Sequence, residues 1–394
     1  MKLGIDRLRE SPDLAKNWGN IGFLANQSSY TSDFKFSLSV VTDLFSDKLK
    51  CLFGPQHGFV ATVQDNMIET GHISHPDLNI PIYSLYSETR EPTEEMVRNI
   101  DTILIDIQIV GCRVYTFKYT IAGCLRAAKK FGKKVVVLDR PNPVGGVNVE
   151  GRVLDLSRKS FVGEFEIPMR HGLTPAEAAL LFNESVDADL EIVSMEGWNP
   201  SDCWDNLGLE WVLTSPNLPN INSVFSYPGT VIFEGSNVSE GRGTGLPFQF
   251  IGAPYIKDSA KFCMRVIELY GPSGDIIVRP TSFQPTSQKW MGKVCNGLQI
   301  HVRSPGSMRS FALGLAILRA SIEQGGSDFC WADKGYEYDY EHLPIQLIIG
   351  HPEADDRLLS ADFSIGDPWW NGGVSEWIDR VEGYLLYPRK MSAI

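Results

Sequence analysis

Four polar clusters in this chain carry side chains that do chemistry. Gly54-Pro-Gln-His-Gly58 sets an amide and an imidazole on a tight turn, and its two glycines let the backbone approach a ligand closely. Gln64, Asp65 and Glu69 follow shortly after. Asp106 ends the apolar run Thr102-Ile-Leu-Ile and precedes Gln108, Arg113 and Tyr115. A carboxylate at the end of a buried strand is costly unless paired, so Asp106 either pairs with Arg113 or serves catalysis or substrate. Asp139-Arg-Pro-Asn-Pro143 repeats the logic with an ion pair beside Asn142, whose backbone is stiffened by flanking prolines. Phe233-Glu-Gly-Ser-Asn-Val-Ser-Glu-Gly-Arg-Gly-Thr-Gly245 is the densest cluster, with Glu234, Asn237, Glu240 and Arg242 on a glycine-rich backbone.

Paired carboxylates across a cleft are the equipment of glycoside hydrolysis, one acting as acid and the other as base or nucleophile. Each cluster also has a plainer reading: His57 capping a carbonyl, Asp106 in an ion pair, a solvated Glu/Gly loop. Arg113, Arg140, Arg170, His171 and Arg242 gather near these loops although the formal net charge is -12. Arginine recognises carboxylates bidentately, so a substrate bearing a carboxylate is expected. Other chemistries lack their signatures. There is neither GxGxxG after the first strand nor a P-loop lysine in Gly241-Arg-Gly-Thr-Gly245, and no HExxH accompanies His72 and His75. Seven scattered cysteines without a CxxC pair suggest neither zinc nor disulfides. Trp198, Trp204 and Trp211 suit a core better than a sugar platform.

The elements that must position these clusters are legible as buried runs. Strands are expected at Ile21–Ala25, Lys50–Phe53, Ile82–Leu85, Thr102–Ile107, Val135–Leu138 and Leu190–Met195, with helices between them, which predicts a parallel sheet covered on both faces. Phe117–Phe131 has helical spacing and a basic end before Gly132, while Thr174-Pro-Ala-Glu177 reads as a capped helix start. The polar clusters after Phe53, Ile107 and Leu138 then converge on one rim beyond the carboxyl ends of the strands, where open parallel sheets bind ligands. Loop-rich sequence follows from about residue 197, and further helices are expected near Ala260–Leu269 and Ser310–Glu323. The fold class is therefore α/β: a Rossmann-like domain over 1–200 and a smaller α+β domain over 201–394 that contributes the Glu/Gly-rich loop. The acidic balance argues against nucleic-acid or anionic-membrane partners. The first residues lack the apolar segment of a secretory signal and no run reaches the length of a membrane span, so a cytoplasmic location is expected.

At these loops the chain resembles the exo-β-N-acetylmuramidases of the NamZ type. The resemblance is carried by Phe53-Gly-Pro-Gln-His-Gly58, Arg113-Val-Tyr-Thr116, Leu138-Asp-Arg-Pro-Asn-Pro143, Pro168-Met-Arg-His-Gly172, Ser215-Pro-Asn-Leu-Pro219, Tyr227-Pro-Gly229 and Phe233 to Thr244, in that order. It implies release of β-linked N-acetylmuramic acid, or a related amino sugar, from the non-reducing end of peptidoglycan fragments in a cleft between the two domains. The lactyl carboxylate of muramic acid would account for the arginines. Glu240, Glu234, Glu69, Asp106 and His57 become the catalytic candidates. Gln56, Arg113, Tyr115, Asp139, Arg140, Asn142, Arg170, His171, Asn217, Asn237 and Arg242 become the substrate contacts. The expected partner is a small carbohydrate or muropeptide, with no cofactor and no metal. Two departures stand out: the family usually has Glu at the place of Gln56 and Asp at that of Ile109. An amide cannot donate a proton as an acid does. Either the acid has moved, to Glu69, Glu234 or Glu240, or the chain is a non-catalytic muropeptide or sugar-acid binder.

Overall fold

The computed structural model describes residues 1–59 and 71–394. Its strands in chain order are β1 (Ile21–Ala25), β2 (Leu49–Gly54), β3 (Ile73–Ser74), β4 (Pro81–Ser84), β5 (Thr102–Asp106), β6 (Lys134–Leu138), β7 (Asn148–Val149), β8 (Asp189–Val193), β9 (Phe250–Ala253), β10 (Ile276–Phe283), β11 (Cys295–Val302) and β12 (Ser392–Ala393). One sheet runs β3-β4-β2-β1-β5-β6-β8 and is parallel throughout except at the β3–β4 edge. The α/β class expected from the sequence is what the chain adopts. The order reverses at β1, which pairs with β2 on one side and β5 on the other. Loops leaving β1 and β5 therefore diverge and open a crevice at the carboxyl ends of the strands.

Side chains alternate across each strand, and both faces are apolar. Ile103 and Ile105 of β5 join Leu24, Phe53, Val135 and Val137 in one core, while Leu104 joins Phe23, Leu52 and Val136 in the other. The first core is closed by the helix Phe117–Phe131, which ends on Gly132 at φ 63° with Lys129 and Lys130 in its last turn. The left-handed residue and the cations both suit a helix C-terminus. The helix Pro175–Val186 starts with the reciprocal cap expected, Thr174 accepting from the Glu177 amide and Glu177 from the Thr174 amide.

The C-terminal half contains an antiparallel sheet, β10-β11-β9, with the helix Ser259–Tyr270 against it and the helix Ser310–Gly325 packed on that helix. Its core is continuous with the first: Phe262, Leu298 and Ile317 belong to the same apolar cluster as Ile103. The chain end returns to the first half, where β12 pairs in parallel with β7. Trp198 is spent on this closure, edge to face with Tyr387 at 5.0 Å. Among the described residues no helix is long and apolar enough to cross a membrane.

Candidate active site

Loops from both halves of the chain line a polar pocket that opens to solvent. Gln56 and His57 reach it from the turn after β2, and Tyr115 and Thr116 from the run between β5 and the Phe117 helix. Ser215 and Asn217 lie on the loop before the helix Ile221–Thr230, which itself contributes Tyr227. Glu234 sits in the 3₁₀ turn Val231–Gly235 that continues that helix, Arg242 in the glycine-rich loop, and Tyr336 and Glu337 on a tight turn further along. The segment leading into that last turn is held near Glu234 by backbone bonds. The Asn237 amide donates to the Cys330 carbonyl and the Ala332 amide to that of Gly235, both at 2.9 Å.

The segment 112–116 is fixed by two buried cations. Lys118 donates from Nζ to the carbonyls of Cys112, Arg113 and Tyr115 at 2.7, 2.6 and 2.6 Å, and burial pushes its ammonium well below the usual lysine range. Arg113 donates to the carbonyls of Arg152 and Ile167 in the first half and of Ile348 and Ile349 in the second. Gly350, at φ 80°, leaves room for it, since a Cβ there would lie 2.7 Å from Nη2. Such buried carbonyls need donors, and the two side chains supply them where no regular structure can.

Negative charge is concentrated on two glutamates that line the pocket, Glu234 and Glu337, and on Glu240 behind them. Glu234 Oε1 accepts from Arg242 at 2.5 Å and Oε2 from the Tyr336 hydroxyl at 2.5 Å. Glu240 lies behind, accepting from Arg242 at 2.9 Å and from Lys289 at 2.9 Å. Burial alone would raise its carboxyl, but Lys289 and Arg242 outweigh burial and hold it down at about 2. Among the described residues no cation pairs with Glu337. Burial pushes its carboxyl up to about 7, against the hydrogen bond from Tyr86 and with help from the negative charge of Glu234. The Tyr86 hydroxyl donates to Glu337 Oε2 at 2.9 Å. Thr116 donates to Gln56 Oε1 at 2.5 Å, which turns the Gln56 amide nitrogen towards Glu337, where it hydrogen-bonds the carboxyl.

Sequence matching decides what this arrangement belongs to. The N-terminal model of the exo-β-N-acetylmuramidase NamZ family matches residues 21–222 and its C-terminal model residues 225–387. The chain belongs to the NamZ family. A Bacillus subtilis (strain 168) relative, named peptidoglycan β-N-acetylmuramidase NamZ, is 39% identical over 339 residues, 85% of this chain and 80% of the relative. Two Bacteroides fragilis crystal structures from the family called DUF1343 share the fold. One has a TM-score of 0.87 at 27% identity, covering 98% of this chain and 99% of its own. The other has a TM-score of 0.71 at 24% identity, covering 99% of each chain.

Within this NamZ-family fold, the pocket unites six of the residues singled out from the sequence: Gln56, His57, Tyr115, Asn217, Glu234 and Arg242. Other expected residues turn away from it. Asp106 pairs not with Arg113 but with Arg140, Nε to Oδ1 at 2.5 Å and Nη2 to Oδ2 at 2.8 Å, both side chains buried. Asp139 is not in an ion pair with Arg140. It accepts from Thr174 at 2.9 Å, the Ala176 amide at 2.9 Å and Tyr387 at 2.6 Å, so it anchors the next helix. Asn142 donates to the Leu173 carbonyl, and Asn237 bonds the Asp328 carbonyl and Tyr255. Arg170 donates to the carbonyls of Val144 and Met308 and sits 3.6 Å from Glu150. His171 accepts from the Leu173 amide in a buried setting that holds its imidazole well below the usual range, through burial and then the nearby Lys118 and Arg113. Glu69, with Gln64 and Asp65, lies outside the described residues.

The arginine cluster thus has a structural explanation. Arg113, Arg140 and Arg170 are buried and committed to carbonyls and to Asp106 and Glu150, leaving only Arg242 of the four at the pocket. Lys118, Tyr86, Tyr336 and Glu337 went unremarked in the sequence. Lys118 falls on a helix face, where a lysine normally faces water. Glu337 lies in Lys334-Gly-Tyr-Glu-Tyr-Asp-Tyr340, after no buried strand, so the rule of polar loops at strand ends does not reach it. One local signal did exist in that aromatic-acidic run: tyrosine beside glutamate supplies donors for a carboxyl kept from water.

Proposed function

We propose that this chain hydrolyses the β-glycosidic bond of an N-acetylmuramic acid residue at the non-reducing end of peptidoglycan fragments, in the pocket between β2, β5 and the glycine-rich loop. The observation that carries this reading is Glu234, a buried carboxylate gripped by Arg242 and Tyr336 at the wall of the pocket. Membership of the NamZ family and the name of the Bacillus subtilis relative support it. A carboxylate fixed in this way suits the stabilisation of an oxocarbenium-like centre, as nucleophile or as base to water. Arg242 orients it, and Glu240, itself held by Lys289, orients Arg242 in turn. Gln56, His57, Tyr115 and Asn217 contact the sugar.

Incubation with a chromogenic β-glycoside of N-acetylmuramic acid and with its N-acetylglucosamine counterpart tests the assignment. Release is expected from the muramic compound, at a rate well above the other. No release from either, with the Bacillus subtilis relative active in the same assay, overturns it.

A further inference from the structure

We propose that Glu337 is the proton donor of the reaction, the group that protonates the leaving oxygen, while Glu234, paired with Arg242, lines the same cavity. The inference rests on the muramidase reading of the pocket and assigns the acid within it. Two carboxyl groups line this cavity in opposite environments. Glu234 meets a guanidinium at 2.5 Å and a tyrosine hydroxyl at 2.5 Å. Glu337 meets Tyr86 at 2.9 Å and the Gln56 amide, neither of them charged. The groups around Glu337 are its chain neighbour Tyr336, Glu234 from the turn that follows the Ile221 helix, Arg90 at longer range, and His57, which lines the same cavity. An anion at Glu234 favours the proton on Glu337, and Arg90 opposes this. Paired carboxyls whose surroundings drive their protonation apart are how one site supplies both an acid and a charged partner at neutral pH.

The backbone gives a second, independent observation. Glu337 and Tyr338 both hold left-handed backbone, at φ 47° and 70°, where neither residue type is at ease. Strain of this kind persists only where the surroundings enforce it, and here it turns the carboxyl inward beneath Tyr86. Gln56 then has a task that suits an amide. With its oxygen taken by Thr116, its nitrogen orients Glu337 and competes for no proton.

In the step, the Glu337 proton passes to the glycosidic oxygen as the C1–O bond breaks and its electron pair stays on that oxygen. Water supplies the hydroxyl that ends on C1. The second proton of that water is taken up by one of the two carboxylates, and exchange with solvent restores the starting state. The sum is one water consumed for one glycosidic bond.

Aryl β-glycosides of N-acetylmuramic acid with a good leaving group (dinitrophenolate) and a poor one (an unactivated phenolate) test this through Glu337→Gln. An acid matters most when the leaving group cannot depart as an anion, and its contribution is of the order of 10²- to 10⁴-fold. The variant is expected to lose more than about 100-fold in kcat/KM on the poor leaving group and less than about tenfold on the good one. Wild-type activity on the poor leaving group should fall above a pH near the Glu337 value of about 7, and that limb should vanish in the variant. Equal losses on both substrates, or a basic limb that survives, overturn the proposal. Should the variant not fold, the wild type alone decides: the same basic limb on both leaving groups overturns the role, and a limb confined to the poor one supports it. A wild type that cleaves neither glycoside overturns the muramidase reading and the acid with it. A wild type that cleaves both while Glu337→Gln tracks it overturns the acid alone.

Discussion

Glu234 and Glu240 share one guanidinium yet do different work, because only Glu234 faces the cavity. Glu240 is the buried counter-ion shared by the partly buried Arg242 and Lys289. Replacing it with glutamine keeps the shape and removes the charge, leaving two cations to one carboxylate. Breaking a buried pair in this way costs about 3–5 kcal/mol. Lys289 is partly exposed, so Glu240→Gln should sit at the lower end of that range in denaturant unfolding. Activity should fall with it, since Arg242 loses its orientation and Glu234 its fixed partner. A variant as stable and as active as the parent would show that Glu240 plays no part in the site. The same residues show what a sequence makes legible. His57, Glu234 and Arg242 announced themselves as chemistry-bearing side chains on glycine-rich turns. Arg113, Arg140 and Arg170 did so equally, and the structure spends them on carbonyls and carboxylates that no sequence pattern exposes. Residue type revealed a capacity for charge recognition without revealing which unmet backbone group would claim it.

At the scale of elements, the site depends on where the helix Ile221–Thr230 stops. Its last turn carries Tyr227 and hands over to the 3₁₀ turn bearing Glu234. That end is pressed against the helix Ser310–Gly325, and a Cβ on Gly229 would collide with the backbone of Ser310 while one on Gly314 would collide with Gly229. Neither position has a positive φ, so the requirement for glycine is close approach and not backbone conformation. Gly229→Ala should therefore destabilise by about 1–3 kcal/mol, the usual cost of overpacking, and more if the helices cannot part. Because the shift is transmitted to Tyr227 and Glu234, kcat/KM should fall in the fraction that remains folded. Thermal unfolding together with kinetics on the muramic glycoside checks both, and an unchanged midpoint would mean that the helices accommodate a methyl group. Strands and caps were far easier to read ahead of the structure than this crossing. Runs such as Lys134–Leu138 and the Thr174–Glu177 cap are local patterns, whereas the Gly229–Gly314 approach joins positions distant in sequence.

Across the whole molecule, the chain end locks the first half to the second through Asp139. Tyr387 donates to Asp139 at 2.6 Å and accepts from the Met195 amide at 2.7 Å, while Arg389 pairs with Glu177 at 2.6 Å. Burial pushes the Asp139 carboxyl up to about 7, against the pull of the Tyr387 hydrogen bond. A raised carboxyl binds a proton in the folded state that the unfolded chain has already lost. Its contribution to stability is therefore greatest below the ordinary aspartate range and is lost as pH rises through about 7. Tyr387 offsets part of that loss, because its hydroxyl favours the charged form. Tyr387→Phe removes this donor and leaves the Met195 amide without its acceptor. The expected cost is about 1–3 kcal/mol, and it should be larger at pH 8.5, where Asp139 is charged, than at pH 5.5, where it is neutral. Urea unfolding at the two pH values measures the difference. An equal cost at both would mean that Asp139 is ionised throughout, and a larger cost at pH 5.5 would reverse the sign of the coupling. The same network ties the end of the chain to the loop after β6, so the variant should loosen the β7–β12 pairing before it disturbs the pocket. Proteolysis near the C-terminus should then quicken while cleavage of the muramic glycoside by the intact fraction changes little.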